Sequence, residues 1–423
     1  MAIQTRRNFL KDTGLLSAGL LLGNALVGST IKPDSTLLLV SGWQDVNIGD
    51  IAHTPGLLHV LETFLPDATI ILWKKSNATE DVKRLLSSNF PKVKVVYGAV
   101  DQSKNVSSPE VIDAFGRADL MIHGSGPSLV GADHLACWTK HTGKPFGVFG
   151  TTLQNPDEYH TAILKKASFI FTRETMSITH LKRAGLEGPH IRFAPDATFY
   201  LNIHDQEKAG AFLRSAGLEN KKFICAIPRL RYTPYHKMGR ASWSQEKIKT
   251  VEETNQRYKE IDHAKLRDAM ISWVRETGNK VLVCPEMTYE VDIMDELLIH
   301  PLPDDVKPFV VKRGYWLPDE AASVYASAHT VLSFECHSPI IAAANGTPFM
   351  YLRQPEDTIK GQMYADLGFD DWCFEIDNTT GKMVSDRLRE IWKDYPKAKS
   401  KLAASMDHVT EIYREGCNFI RSV

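Results

Sequence analysis

The sequence predicts an α/β fold built on two parallel sheets in tandem, on three observations. Short β-branched or apolar runs alternate with amphipathic helical windows from about residue 31 onward. The runs are continuously apolar rather than alternating, as in strands buried on both faces. The 423 residues, 43% hydrophobic and 24% charged, suit two or three ordinary globular domains.

The first series of predicted strands is Thr36–Ser41, Thr69–Trp73, Val93–Tyr97, Leu120–His123, Phe146–Gly150, Phe169–Thr172 and Ile191–Phe193. Helical windows fall between them, among them Gly56–Phe64, Thr79–Ser88 and Asp157–Lys166. This series makes a Rossmann-like domain over residues 31–203. The second series is Phe223–Ile227, Lys280–Cys284, Phe309–Lys312, Thr330–Ser333, Phe349–Leu352 and Phe374–Ile376, with helices at Ile261–Thr277, Pro318–Ser327, Ser338–Asn345 and Thr358–Asp366. It makes a second Rossmann-like domain over residues 204–395. A last helix, Lys397–Ile420 within residues 396–423, has no strand after it and is free to pack across both domains. Residues 230–255 break the alternation and read as an insertion following a strand end. Ligands of open parallel sheets bind beyond the carboxyl ends of the strands, so two facing domains share one cleft.

Composition narrows the partners. Fifty basic and 51 acidic side chains give a formal charge of -1, which creates no global field for nucleic acid or an anionic membrane. None of the six cysteines forms a CxxC pair, so a zinc ribbon or thioredoxin-like site is not expected. No metal or other cofactor is called for.

The N-terminus reads as a targeting signal. Thr5-Arg6-Arg7-Asn8-Phe9-Leu10-Lys11 fits the twin-arginine pattern, and a small-residue apolar stretch follows to about Val27. Residues 1–30 are therefore expected to engage the twin-arginine translocase and be removed. The mature chain would then be periplasmic or extracellular, with no stable membrane span.

Candidate site residues follow the strand ends. After the first strand, Asn47, Gly49 and Asp50 can cap a helix or meet a ligand. After the fourth, Gly124-Ser125-Gly126 can turn the backbone amides toward an anion or sugar, or can be a tight turn. Arg173, at the end of Phe169–Thr172, can grip a carboxylate or phosphate, or can pair with Glu174. Asp196 follows the last strand of the first half and can act as a base or cap a turn. In Ser333-Phe334-Glu335-Cys336-His337-Ser338-Pro339 a strand gives way to a helix, placing His337, the natural acid/base near neutral pH, at its start. Strand alternation would aim Glu335 and His337 the same way, as an acid/base pair. Lys360 begins a later helix facing the cleft.

Taken in order and spacing, these motifs resemble the polysaccharide pyruvyl transferase family. The carriers are Asn47-x-Gly49-Asp50, Gly124-x-Gly126, Thr172-Arg173-Glu174-x-x-Ser177, Pro195-Asp196, Ser333-x-x-x-His337, Gly346-x-Pro348, Lys360 and Asp366-x-Gly368. The resemblance implies a glycosyltransferase-B-like fold and transfer of a pyruvyl ketal from phosphoenolpyruvate to sugar hydroxyls of an envelope or extracellular polysaccharide, without a metal. It implies that His337 protonates the methylene carbon of the donor, that Arg173 binds the donor and that Lys360 lies near its phosphate.

Glu335 departs from the family pattern, which usually carries arginine there. A carboxylate among donor anions repels them. Arg229, Arg231, His236 and Lys237 are the nearest candidates to restore positive charge. Export adds a difficulty, since phosphoenolpyruvate is a cytoplasmic metabolite. Another small anionic donor, a glycan or ketal hydrolase or lyase, a non-catalytic glycan-binding protein and a nucleotide-sugar glycosyltransferase are the alternatives.

Overall fold

The computed structural model describes residues 34–423. The twin-arginine stretch and its apolar segment lie outside the described residues.

Thirteen strands are found among the described residues, at the positions where apolar runs predict them. The first sheet contains β1 (Thr36–Ser41), β2 (Thr69–Lys74), β3 (Lys94–Val96), β4 (Leu120–His123), β5 (Phe146–Thr151), β6 (Phe169–Thr172) and β7 (Ile191–Phe193), in the order β3-β2-β1-β4-β5-β6-β7. The second contains β8 (Phe223–Ile227), β9 (Lys280–Val283), β10 (Val310–Lys312), β11 (Thr330–Ser333), β12 (Phe349–Arg353) and β13 (Cys373–Glu375), in the order β10-β9-β8-β11-β12-β13. All pairings are parallel. In each sheet the order reverses beside the first strand, so a crevice opens at the carboxyl ends of β1 and β4 and of β8 and β11. The central strands are buried along their whole length, save Thr36 at the start of β1, which is why their sequences do not alternate.

The two crevices face each other and touch at the floor of the cleft. Asn47 and Met287 form an isolated antiparallel bridge, with Ile48 N–H donating to the Glu286 carbonyl (3.0 Å) and Thr288 N–H to that of Val46 (3.0 Å). The last helix, Tyr395–Arg421, begins against the second domain and ends on the first. Its Tyr413 hydroxyl donates to the Asp196 carbonyl (2.7 Å), and Arg421 donates to the Phe64 carbonyl (2.8 Å).

Two helices are longer than the apolar pattern predicts. The first begins at Ile48, eight residues before the window Gly56–Phe64, and runs through Pro55. Proline obscures the pattern there, but the side chain of Asn47 accepts the amides of Gly49 (2.6 Å) and Asp50 (3.3 Å) and fixes the start. The second runs from Gln245 to Thr277 and absorbs the last part of the expected insertion, from Gln245 to Asn255. Its first turns are charged and mostly exposed, so they carry little apolar periodicity. Asn255 fastens them by bonding both backbone groups of Tyr232 at 2.9 Å.

Candidate active site

A cleft of about 710 Å³ lies between the strand ends, and His337 sits in it. His337 is the first residue of the helix His337–Ala344, directly after β11 and its short connection. Glu286, at the carboxyl end of β9, caps that helix. Its carboxylate accepts the amides of His337 (3.1 Å) and Ser338 (2.6 Å), the Ser338 hydroxyl (2.9 Å) and, at 3.0 Å, His337 Nδ1. These bonds use the donors a helix start leaves free and place negative charge where the helix dipole favours it. Burial alone would raise the Glu286 pKa, yet the His337 and Ser338 donors hold it below the usual carboxylate range. Burial likewise opposes a charged His337, but the carboxylates of Asp196 and Glu286 outweigh it and raise the imidazole well above its ordinary pKa. The ring's surroundings therefore favour its protonated form, and Glu286 fixes its orientation through Nδ1.

The first domain contributes the facing group. His53, one turn beyond Gly49 on the helix Ile48–Phe64, brings its Nε2 to 3.0 Å from His337 Nε2 and 3.1 Å from Asp196 Oδ2. Asp196 Oδ2 is 3.8 Å from His337 Nε2. Asp196 also accepts from Arg173 (2.8 Å) and from its own turn at Thr198 N–H (3.0 Å). Arg173 spends its other nitrogens on Thr152 Oγ1, at 3.0 and 2.8 Å. It is fully buried yet borders the cleft, so it positions Asp196 and supplies charge at the floor. Burial would raise the Asp196 pKa, but His53, His337 and Arg173 together hold it well below the ordinary value. The ligand atoms of His53, Asp196 and His337 all lie within 4.8 Å of one another, a spacing able to hold a metal ion.

Cations and carboxylates alternate on the second domain's wall. Arg229 lies 3.0 Å from Glu335 and 2.8 Å from Asp357, and Lys360 lies 3.4 Å from Asp357. Burial raises the Glu335 pKa against the pull of Arg229. The cleft is also lined by Asn47, Asp50, Tyr235, Arg240 and Trp243. Asp50 accepts a short hydrogen bond from Gln44.

Several sequence-based expectations are redirected. Glu335 does not partner His337; the chain leaves the strand after Ser333, so alternation ends, and Glu335 turns to Arg229 while Glu286 takes the histidine. Gly49 does not offer its amide to a ligand, because Asn47 holds it; its lack of a side chain is what matters, since a Cβ there would sit 2.2 Å from the His337 ring. Gly124-Ser125-Gly126 is a packing turn. Gly124 N–H donates to Val40, Ser125 Oγ accepts the Ala197 amide (3.0 Å), Ser125 O accepts Trp43 Nε1 (2.6 Å), and a Cβ on Gly126 would meet that same Trp43 nitrogen at 2.9 Å. The next helix starts only at Ala132, too far on for its amides to join this turn. Arg231 is buried outside the cleft, paired with Asp262 (2.9 Å) and with Asp377, and stacked 3.6 Å over Tyr258. His236 and Lys237 face Glu252 at 3.5 and 2.9 Å.

Three residues of the site were not singled out from sequence. Glu286 follows an apolar strand, and its place at a strand's carboxyl end is the signal that points to it. His53 lies four residues after Gly49, one helical turn, and so on the same face. Asp357 sits in a loop without periodicity.

Residues 47–354 match the polysaccharide pyruvyl transferase family. The chain belongs to that family. It is thus a transferase of the polysaccharide-modifying kind, with His337, Asp196 and Lys360 inside or just beyond the matched span. No curated protein matches it by sequence. Among solved structures it is similar to HepE from Anabaena in complex with UDP-glucose (12% identity, 92% of this chain and 100% of that one, TM-score 0.55). It is also similar to UDP-GlcNAc 2-epimerase from Neisseria meningitidis bound to UDP-GlcNAc (11%, 90% and 98%, 0.53) and to MnaA from S. aureus with UDP (12%, 90% and 92%, 0.54). At these identities the likeness shows the fold, two facing Rossmann-like domains of the glycosyltransferase-B type, which this pyruvyl transferase family member shares.

Proposed function

We propose that this protein transfers a pyruvyl group from phosphoenolpyruvate, or a closely similar small anionic donor, to two hydroxyls of a sugar in an extracytoplasmic polysaccharide. The observation that carries this reading is the His337 side chain, fixed by Glu286 at a helix start on the cleft floor.

The chemistry needs an acid at a carbon atom. His337 gives its proton to the methylene carbon of the donor, which becomes a methyl group and leaves positive charge on the adjacent carbon. One acceptor hydroxyl attacks that carbon, phosphate leaves, and a second hydroxyl closes the ketal. Of the two hydroxyl protons released, one restores His337 and the other departs with phosphate. Asp196 and Glu286 stabilise the imidazolium before the transfer. Arg229, Lys360 and Arg240 supply positive charge along the wall, tempered by Glu335 and Asp357. Tyr235 and Trp243 offer aromatic faces on which a sugar can stack.

Donor binding is tested by titrating the protein with phosphoenolpyruvate in a thermal-shift assay. A saturable rise in Tm that is lost in Lys360→Ala supports the reading, and no rise for this or any other small phosphate-bearing carboxylate overturns it. Export rests on Thr5–Lys11. Replacing Arg6 and Arg7 together by lysine should retain the full chain in the cytoplasm, and unchanged export would remove that part of the proposal.

A further inference from the structure

We infer that His53, Asp196 and His337 form a three-ligand site for a zinc-class divalent cation, with the fourth position open to the cleft. The distances carry the argument. Tetrahedral zinc with bonds of ~2.0–2.1 Å to nitrogen and oxygen separates its ligands by about 3.3 Å. Here the three separations are 3.0, 3.1 and 3.8 Å, so one point is equidistant from all three at close to bonding length. The donor set, two imidazole nitrogens and one carboxylate oxygen, is that of a catalytic zinc centre rather than of calcium or magnesium.

The surroundings fit as well. Glu286 accepts from His337 Nδ1 at 3.0 Å, which directs the Nε2 lone pair inward, as a carboxylate does behind a metal-bound histidine. Asp196 is oriented by Arg173 and by the Thr198 amide. Three carboxylates, those of Asp196, Glu286 and Asp50, face the cluster against the guanidinium of Arg173 and, until a metal displaces its proton, the His337 ring, so the floor attracts a cation. His53 and Asp196 are sealed from solvent, whereas His337 borders the cleft, which leaves one open direction for a water or an acceptor oxygen.

The cation and the catalytic proton compete for one atom. A metal on His337 Nε2 uses the lone pair that otherwise carries the transferable proton. The metal-loaded protein is therefore inactive as a proton donor, and removal of the metal restores it. Because His53 and Asp196 belong to one domain and His337 to the other, the ion would also pin the domains together.

The test is Co²⁺ titration of the purified full chain followed by visible absorption, with Zn²⁺ as competitor. The expected result is one Co²⁺ per chain, the intense bands of four-coordinate cobalt, and their loss on adding zinc. His53→Gln and His337→Gln should each weaken binding tenfold or more and abolish those bands, while Glu286→Gln, one shell further out, should weaken it by ~10–100-fold with the bands retained. His337→Gln keeps the test open should the fully buried His53 variant fail to fold. No stoichiometric cobalt binding, or binding with unchanged spectrum in both histidine variants, overturns the inference. The spectrum requires no turnover, so its failure leaves the transferase reading standing, and failure of turnover leaves this one standing.

Discussion

His337 Nδ1 lies 3.0 Å from Glu286 Oε1, and the same carboxylate accepts the first two amides of the helix that His337 begins. One side chain thus sets the position of the other and favours its protonated form. Glu286→Gln keeps the shape and removes the charge. A general acid contributes ~10²–10⁴-fold to rate, and loss of its charge partner should cost turnover on the order of 100-fold. The alkaline limb of the pH–rate profile should move with it: without Glu286 the imidazolium loses a proton at lower pH, so activity falls off earlier as pH rises. A rate loss with an unshifted profile would make Glu286 a purely structural cap.

Gly49 is required by the same contact. A Cβ at that position would lie 2.2 Å from the His337 ring, and the helix backbone carrying it is pinned by Asn47. Gly49→Ala should therefore push the imidazole off Glu286. Overpacking of this kind costs ~1–3 kcal/mol. Kinetics should show a fall in kcat with little change in KM, and a crystal structure of the variant should show the ring displaced.

Arg231 and Lys360 separate structure from binding. Arg231 is buried against Asp262 and Asp377, so Arg231→Ala leaves their charge without its partner and should cost ~3–5 kcal/mol of stability. Donor affinity, measured at a temperature where the variant is folded, should be unchanged. Lys360→Ala should do the reverse, weakening the donor with little effect on Tm. Equal effects on donor affinity would bring Arg231 back into the site.

Acid should destabilise the fold through four histidines. Burial lowers His123 to about 3 and His134, His263 and His329 to about 4. His123 Nε2 accepts the Gly131 amide (2.9 Å) and His263 Nε2 accepts the Arg229 amide (3.3 Å), so neither can take a proton there without losing that bond. The unfolded chain protonates them near pH 6.5 while the folded chain does not. Stability from this source is complete above about pH 6.5 and is lost as pH falls toward 4, by up to about 1.4 kcal/mol per unit for each histidine. Denaturant unfolding from pH 7 to 4.5 measures it. A flat profile would mean that these rings are protonated in the folded protein.

Much of this arrangement is legible in the sequence. Runs such as Leu37–Val40 and Ile224–Ile227 are apolar because both sheet faces are covered, and their position marks every strand. His337 is visible because a strand ends at Ser333 and Pro339 follows within the first turn of a helix. What one chain end contributes to another is not local, and that is where the reading from sequence falls short. Glu286 and His53 are far from His337 in sequence and meet it only through the apposition of two domains. Gly49 and Gly126 carry a signal for close approach, but sequence does not say that the approaching groups are the His337 and Trp43 rings rather than a ligand. The pairing of Arg229 with Glu335 likewise depends on β8 lying beside β11, a topological fact.

The central claim, that His337 is the proton donor of a pyruvyl transfer, is tested most directly by phosphate release. The protein is incubated with phosphoenolpyruvate and glycan fragments of cell-envelope polysaccharide, and wild type is compared with His337→Gln. Phosphate release that requires an acceptor, with a new ketal methyl signal on the glycan, and that falls by at least about 100-fold in the variant is the predicted result. Equal rates in the two proteins, or no release with any acceptor, would contradict it.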